Sequence, residues 1–191
     1  MKLAPIFGTL EAALRLWHFV AATLAAPLRA GEVSALNIKD YDGRRLHIHG
    51  AKWGSDGKVP LKPEAVTTLD SYLGWMVRQG IDVTPDSPLF ISSSRNSRGN
   101  RLGYRGIYDL VKELAAVSEL EDVHPHRLRH TCATSLVAEG MDTILAKRLV
   151  RIKSDRVFAR YSDRALDMKM EAAFDELYGQ SKGSLGTEDS D

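Results

Sequence analysis

The sequence predicts an α+β domain, mostly helical, with one small three-stranded antiparallel sheet. Two observations carry that prediction. Apolar residues recur at helical spacing in several stretches bounded by Pro, Gly or small polar residues. Between residues 37 and 61 the pattern changes to alternation around the turn signal Asp42-Gly43. With 191 residues, 43% of them hydrophobic, the chain can bury one core.

Residues 9 to 27 read as a core helix, with Leu10, Leu14, Trp17, Ala21 and Leu24 at helical spacing, Thr9 as N-cap and Pro27 at its end. Glu11, Arg15, His18 and Thr23 interrupt its apolar run, so a membrane span or signal peptide is not expected. A short helix starting near Arg29 or Ala30 carries Glu32, Val33 and Leu36. Three strands should follow: 37–41, 44–49 and 58–61, the last after a turn at 54–57. Pro63 opens a helix that Gly80 closes. Residues 80–103 are loop-like, and 104–118 form an amphipathic helix. Helices are then expected from the 124–131 region to about Glu139, from Asp142 to Val150, and from Asp163 to Tyr178, with a short segment delivering Tyr161 before the last. Residues 1–178 should make one domain, and 179–191, rich in Gly, Ser and acids, a disordered tail.

The formal charge of +1 conceals an asymmetry. Residues 171–191 hold six acids and one lysine, leaving residues 1–170 with 25 basic and 19 acidic side chains, a balance of +6. A moderately basic body fits a DNA-facing surface. The loop 92–103 carries Arg95, Arg98 and Arg101 without one acid, and Arg105 follows just beyond; these are the expected phosphate contacts. The single cysteine, Cys132, sits among small and apolar residues and cannot form an intramolecular disulfide, which suits a reducing cytoplasm.

The stretch His124-Pro125-His126-Arg127-Leu128-Arg129-His130-Thr131 is too polar for a packed core. If His126 and Arg129 begin a helix, they share a face near its N-terminus, where backbone N–H groups also favour an anion. The expected ligand is a phosphate. Three histidines could suggest zinc, but Pro125 and two arginines make a poor cation site, and no metal is expected. His47 and His49 read as surface residues.

Four local patterns then give a resemblance to the catalytic domain of the tyrosine recombinases of the phage-integrase family, over about residues 9–177. Leu28-Arg29-Ala30-Gly31-Glu32-Val33-Ser34-Ala35-Leu36 resembles the family's first-arginine box. Gly50-Ala51-Lys52 followed by Val59-Pro60-Leu61 resembles its hairpin lysine. His126-Arg127-Leu128-Arg129-His130-Thr131 matches its His-x-Leu-Arg-His-Thr box, and Tyr161 lies 32 residues after Arg129, where the family has its nucleophile. The resemblance implies the DNA breaking-rejoining enzyme fold and site-specific recombination through a 3′-phosphotyrosyl intermediate. Double-stranded DNA is the implied partner and no cofactor is needed. It also implies a homotetramer on DNA, coupled through the last helix, and a monomer without DNA. An N-terminal core-binding domain, usual in the family, is expected to be missing here, and the protein is expected in the cytoplasm with the nucleoid.

The residues accommodate those roles. Phosphoryl transfer needs an in-line nucleophile, cover for the equatorial oxygens and a proton for the leaving alkoxide. Arg29 and Arg129 would hold the phosphate by bidentate contact, and Glu32 would orient Arg29. Tyr161, roughly one part in a thousand ionised at neutral pH, needs His126 as base or a strongly positive site. Lys52 would protonate the departing 5′-oxygen, with Lys58 as rival, and His124 and His130 would support His126.

One position departs from the family. Nine residues before the tyrosine it usually has a histidine or tryptophan after a glycine; here the pair is Arg151-Ile152. Isoleucine cannot donate a hydrogen bond, so Arg151 or Lys153 must supply the contact or the chemistry is slowed. Two other readings therefore stay open: a catalytically impaired DNA-binding or regulatory relative, and type IB topoisomerase-like strand cleavage.

Overall fold

The computed structural model describes residues 27–50, 56–92, 97 and 99–178, with the Val117 side chain left out. The expected 9–27 helix (save Pro27), the first half of the 54–57 turn, Lys52, Arg95, Arg98 and the 179–191 tail lie outside the described residues. The chain divides into two compact units: residues up to Cys132 together with Leu149–Arg151, and Ala133–Arg148 together with residues from Ile152 onward.

The first unit contains α1 (Ala30–Ala35), a 3₁₀ turn (Ile38–Asp40), β1 (Arg45–Ile48), β2 (Gly57–Pro60), α2 (Pro63–Arg78) and α3 (Tyr104–Val117). It also holds the start of α4 (Pro125–Ala138), a helix that ends in the second unit. The strands pair antiparallel, with Leu46 opposite Val59 and His47 opposite Lys58. Alternation puts Leu46, Ile48 and Val59 inward, where they meet Leu69, Tyr72 and Met76 of α2, Ile107 and Val111 of α3, and Val33 of α1 in one core. Each such burial contributes about 1.5–3 kcal/mol relative to exposure.

The Asp42-Gly43 turn forms for a local reason. Asp42 Oδ1 accepts the N–H groups of Arg44 (3.0 Å) and Arg45 (2.8 Å), and Gly43 takes φ +86°. Asp42 Oδ2 also meets His47 Nε2 at 2.9 Å, and these contacts hold the carboxyl down to a pKa of about 2.

Among the described residues the sheet has two strands, so the expected third strand, 37–41, is corrected to the 3₁₀ turn. Its backbone is engaged elsewhere. The Asn37 N–H donates to Asp40 Oδ2 (2.8 Å), and the N–H groups of Ile38 and Lys39 donate to the carbonyls of Ser87 and Pro85. Only a single bridge, Tyr41 to Leu46, remains of the predicted pairing.

In the second unit, α5 (Thr143–Leu149, whose last residue counts with the first unit) is capped by Asp142, whose Oδ1 accepts from Ile144 and Leu145. The last helix, α6, runs Asp155–Tyr178, not from Asp163 as expected. Ser154 caps it through Val157 N–H (3.3 Å), and no Pro or Gly interrupts 155–178, so Tyr161 is a helical residue. Phe158, Tyr161 and Ala165 share its buried face.

Asp40 is 7% exposed. Replacing it by Ala would leave the Asn37 N–H unsatisfied, and urea denaturation should show a loss of about 1–3 kcal/mol. An unchanged midpoint would mean the turn does not depend on that carboxylate.

Candidate functional site

Arg29 is the N-cap of α1, with extended backbone (φ −83°, ψ 147°) that turns its side chain out of the helix path. Glu32, one turn on, is 8% exposed and does two things for it. Its Oε2 accepts the Arg29 backbone N–H (2.8 Å), and its Oε1 accepts Arg29 Nη1 (2.6 Å). Glu32 Oε2 also accepts Nη2 of Arg151, from the residue triplet that follows α5. One carboxylate thus orients two guanidiniums.

The second arginine comes from α4. His124 Nδ1 accepts the Arg127 N–H (3.3 Å), Pro125 supplies the first helical residue, and His126 and Arg129 follow on one face. Arg129 is 4% exposed, and its Nη1 and Nη2 donate to the carbonyls of Pro27 and Val150. Those carbonyls carry no charge to neutralise it.

His126 meets His130 Nε2 to Nε2 at 2.8 Å, with the rings 4.4 Å apart and nearly perpendicular. One nitrogen must donate and the other accept, so the pair cannot both be protonated. Partial burial, then His124, Arg129 and Arg29, push the His126 pKa below its ordinary value. It is neutral at neutral pH and able to accept a proton.

These groups line one cleft of about 440 Å³, bounded by Arg29, Glu32, Gly50, Tyr104, His126 and Arg129. Gly50 is the last described residue before Lys52, and its N–H donates to Asp56 Oδ2 at 3.2 Å, across the undescribed stretch. Lys58 is exposed on β2 and is not among the cleft residues. Tyr104 (60% exposed) and His49 also line the cleft, and sequence reasoning assigned neither a role. Their only sequence signal was position, at a loop-helix boundary and a strand end.

Among the expected DNA contacts, Arg105 is exposed and pairs with Asp109 at 3.0 Å. Arg101 is committed within the protein: Nη1 donates to the carbonyls of Ser34 (3.0 Å) and Leu36 (2.9 Å), and Nη2 to Asn37 Oδ1. It clamps the C-terminal end of α1. Tyr161 lies in the second unit, 4% exposed, its ring 5.7 Å from Phe158. Lys153 is exposed in that unit. The three histidines do not converge on a point, and among the described residues no cluster of His, Cys, Asp and Glu could hold a metal. No helix among them is long and apolar enough to cross a membrane.

Known proteins share this arrangement of elements. The profile of the phage integrase family matches residues 6–167. Tyrosine recombinase XerC of Pelobacter propionicus is 33% identical over 147 residues, covering 75% of this chain and 46% of that protein. Tyrosine recombinase XerA of Pyrococcus furiosus is 26% identical over 151 residues, covering 76% and 50%. A crystal structure of XerA recombinase superposes with a TM-score of 0.69 at 26% identity, over 92% of this chain and 59% of that one. XerH site-specific recombinase bound to palindromic difH substrate, in a post-cleavage complex, gives 0.68 at 22% identity, covering 87% and 47%, a likeness of fold. The chain spans about half the length of the curated relatives it matches.

Two outcomes are expected. The His126 ring should titrate below the ordinary imidazole value of about 6.5 in an NMR pH series, and Arg29→Ala should move it back up. Since the unfolded chain would take up that proton first, the contribution of His126 to stability is full above about pH 6.5 and is lost as pH falls through that value toward the lowered folded pKa. A midpoint at or above 6.5 would contradict the cluster's electrostatics. Separately, Arg101→Ala should lower unfolding stability by about 1–2 kcal/mol even without DNA; loss of DNA affinity alone would refute the clamp.

Proposed function

Because the chain belongs to the phage integrase family, we propose that it carries out site-specific recombination of double-stranded DNA, cleaving and rejoining strands through a 3′-phosphotyrosyl intermediate. The observation that carries this reading is the cleft in which Arg29, Arg129 and neutral His126 face the same space. Two guanidiniums hold the non-bridging oxygens of one phosphate. His126 takes the phenol proton, and Tyr161 Oη bonds to phosphorus as the P–O5′ bond breaks. Lys52 gives the 5′-oxygen its proton, and rejoining runs the steps backwards. The phosphodiester is exchanged rather than hydrolysed, so no external energy source enters.

The remaining residues position or extend this set. Glu32 holds Arg29, and His130 sets the tautomer of His126 through its 2.8 Å bond. Arg95, Arg98 and Arg105 contact the DNA backbone, whereas the Arg101 fork is already engaged. The apolar side chains exposed on α6, Leu166, Met170, Phe174 and Leu177, support docking on a neighbouring protomer when four assemble on DNA. Without DNA the protein is a monomer.

A second reading is favoured by Ile152, which has no donor where relatives commonly have one: a DNA-binding relative with crippled chemistry. It predicts salt-sensitive DNA binding without covalent attachment.

The two separate on a pool of randomised duplexes carrying a 5′-bridging phosphorothiolate, whose leaving sulfur needs no general acid. An active protein forms an SDS-stable adduct that Tyr161→Phe abolishes. An adduct surviving that change would remove Tyr161 as nucleophile, and binding without any adduct would favour the impaired relative.

A further inference from the structure

Arg151 departs from local preference in three ways at once. Its backbone sits in the left-handed region, φ +54°, which a side chain other than glycine adopts at a cost. Only 8% of its side chain is exposed, although it ends in a guanidinium. Of that guanidinium, Nη2 reaches Glu32, while Nε and Nη1 are buried with no hydrogen-bond partner among the described residues. Strain and unspent buried donors both oppose folding, and the Glu32 contact leaves those two donors unmet among the described residues. Such a residue is held for a ligand.

Charge says which ligand. Glu32 offsets part of the Arg29 charge, so an anion that gains charge as the nucleophile adds would face less than two full positive charges from Arg29 and Arg129. Arg151, on the other oxygen of Glu32, restores a positive charge one carboxylate away from Arg29. Burial and then Arg29 lower its pKa, while Glu32 and, more weakly, Asp56 oppose them. Lys153, the rival cation, is an exposed single-point donor with no fork.

We propose that Arg151 is a third guanidinium of the scissile-phosphate pocket, its Nε–H and Nη1–H donating to a non-bridging oxygen in place of the donor that Ile152 cannot provide. The proposal rests on the function proposed above. A rotation of the guanidinium about its contact with Glu32 would turn those two groups toward the phosphate when DNA enters.

The test uses Arg151→Gly, which removes the fork and relieves the left-handed backbone but takes one of two guanidiniums from Glu32, so thermal melts of variant and parent accompany every rate comparison. On the phosphorothiolate duplexes its rate of adduct formation should fall about 10²-fold, the usual effect of one lost transition-state donor. Adding Ile152→His should recover most of that loss. With a methylphosphonate at the scissile position, where a neutral methyl replaces one charged oxygen, Arg151→Gly and the parent should react within a few-fold of each other. Equal rates on the ordinary phosphate would overturn the proposal, as would a loss of the same size on both substrates, which marks a structural role. If no variant forms an adduct, the proposed function fails, and inorganic phosphate decides the role of Arg151. The Arg151 Nε–H resonance, identified by its absence in Arg151→Lys, should shift saturably on titration with phosphate; an unmoved resonance would reject the site.

Discussion

The first unit depends on the carboxylate of Glu32. It is nearly buried, and an isolated buried carboxylate would be costly; two guanidiniums and a backbone N–H make it tolerable. The dependence runs both ways. Without Glu32, Arg29 would be a long side chain on a short helix end, free to sample many rotamers. With it, the N-cap backbone, the Arg29 head group and the Arg151 head group share one small anchor.

That anchor fixes where charge sits in the cleft. Arg129 is braced by the carbonyls of Pro27 and Val150, whereas Arg29 is held by an acid and is partly offset. The arrangement is asymmetric: one arginine contributes field, the other contributes geometry together with a share of field. His126, kept neutral by partial burial and then by the surrounding cations, adds an imidazole without adding charge. Cations and a neutral imidazole thus stand together, a combination that a cluster of protonated histidines would not give.

What the sequence disclosed follows the range of each interaction. Helix α2, between Pro63 and Gly80, and the Asp42 turn were legible because their determinants lie within a few residues. His126 and Arg129 were legible because helical spacing places them together. Residues 37–41 were misread as a strand because their backbone partners are at 85–88, far along the chain. Arg101 looked like a DNA contact from its loop, yet its partners lie 64 to 67 residues away. The start of α6 was missed because Tyr161 was read as a separate delivery segment, while Ser154 supplied an ordinary helix cap. The Arg151–Glu32 bond, spanning 119 residues, left no local trace beyond an arginine where glycine is usual.

The two carbonyls that brace Arg129 bear on how the unit comes together in time. They belong to residues 102 and 21 positions away, so both loops must close before the guanidinium has its partners. Contacts between such distant residues cost loop-closure entropy and follow local helix formation. A nascent chain can therefore hold α4 as a helix while its arginine still points in many directions. The cleft's arginine geometry is therefore complete only when the first unit is.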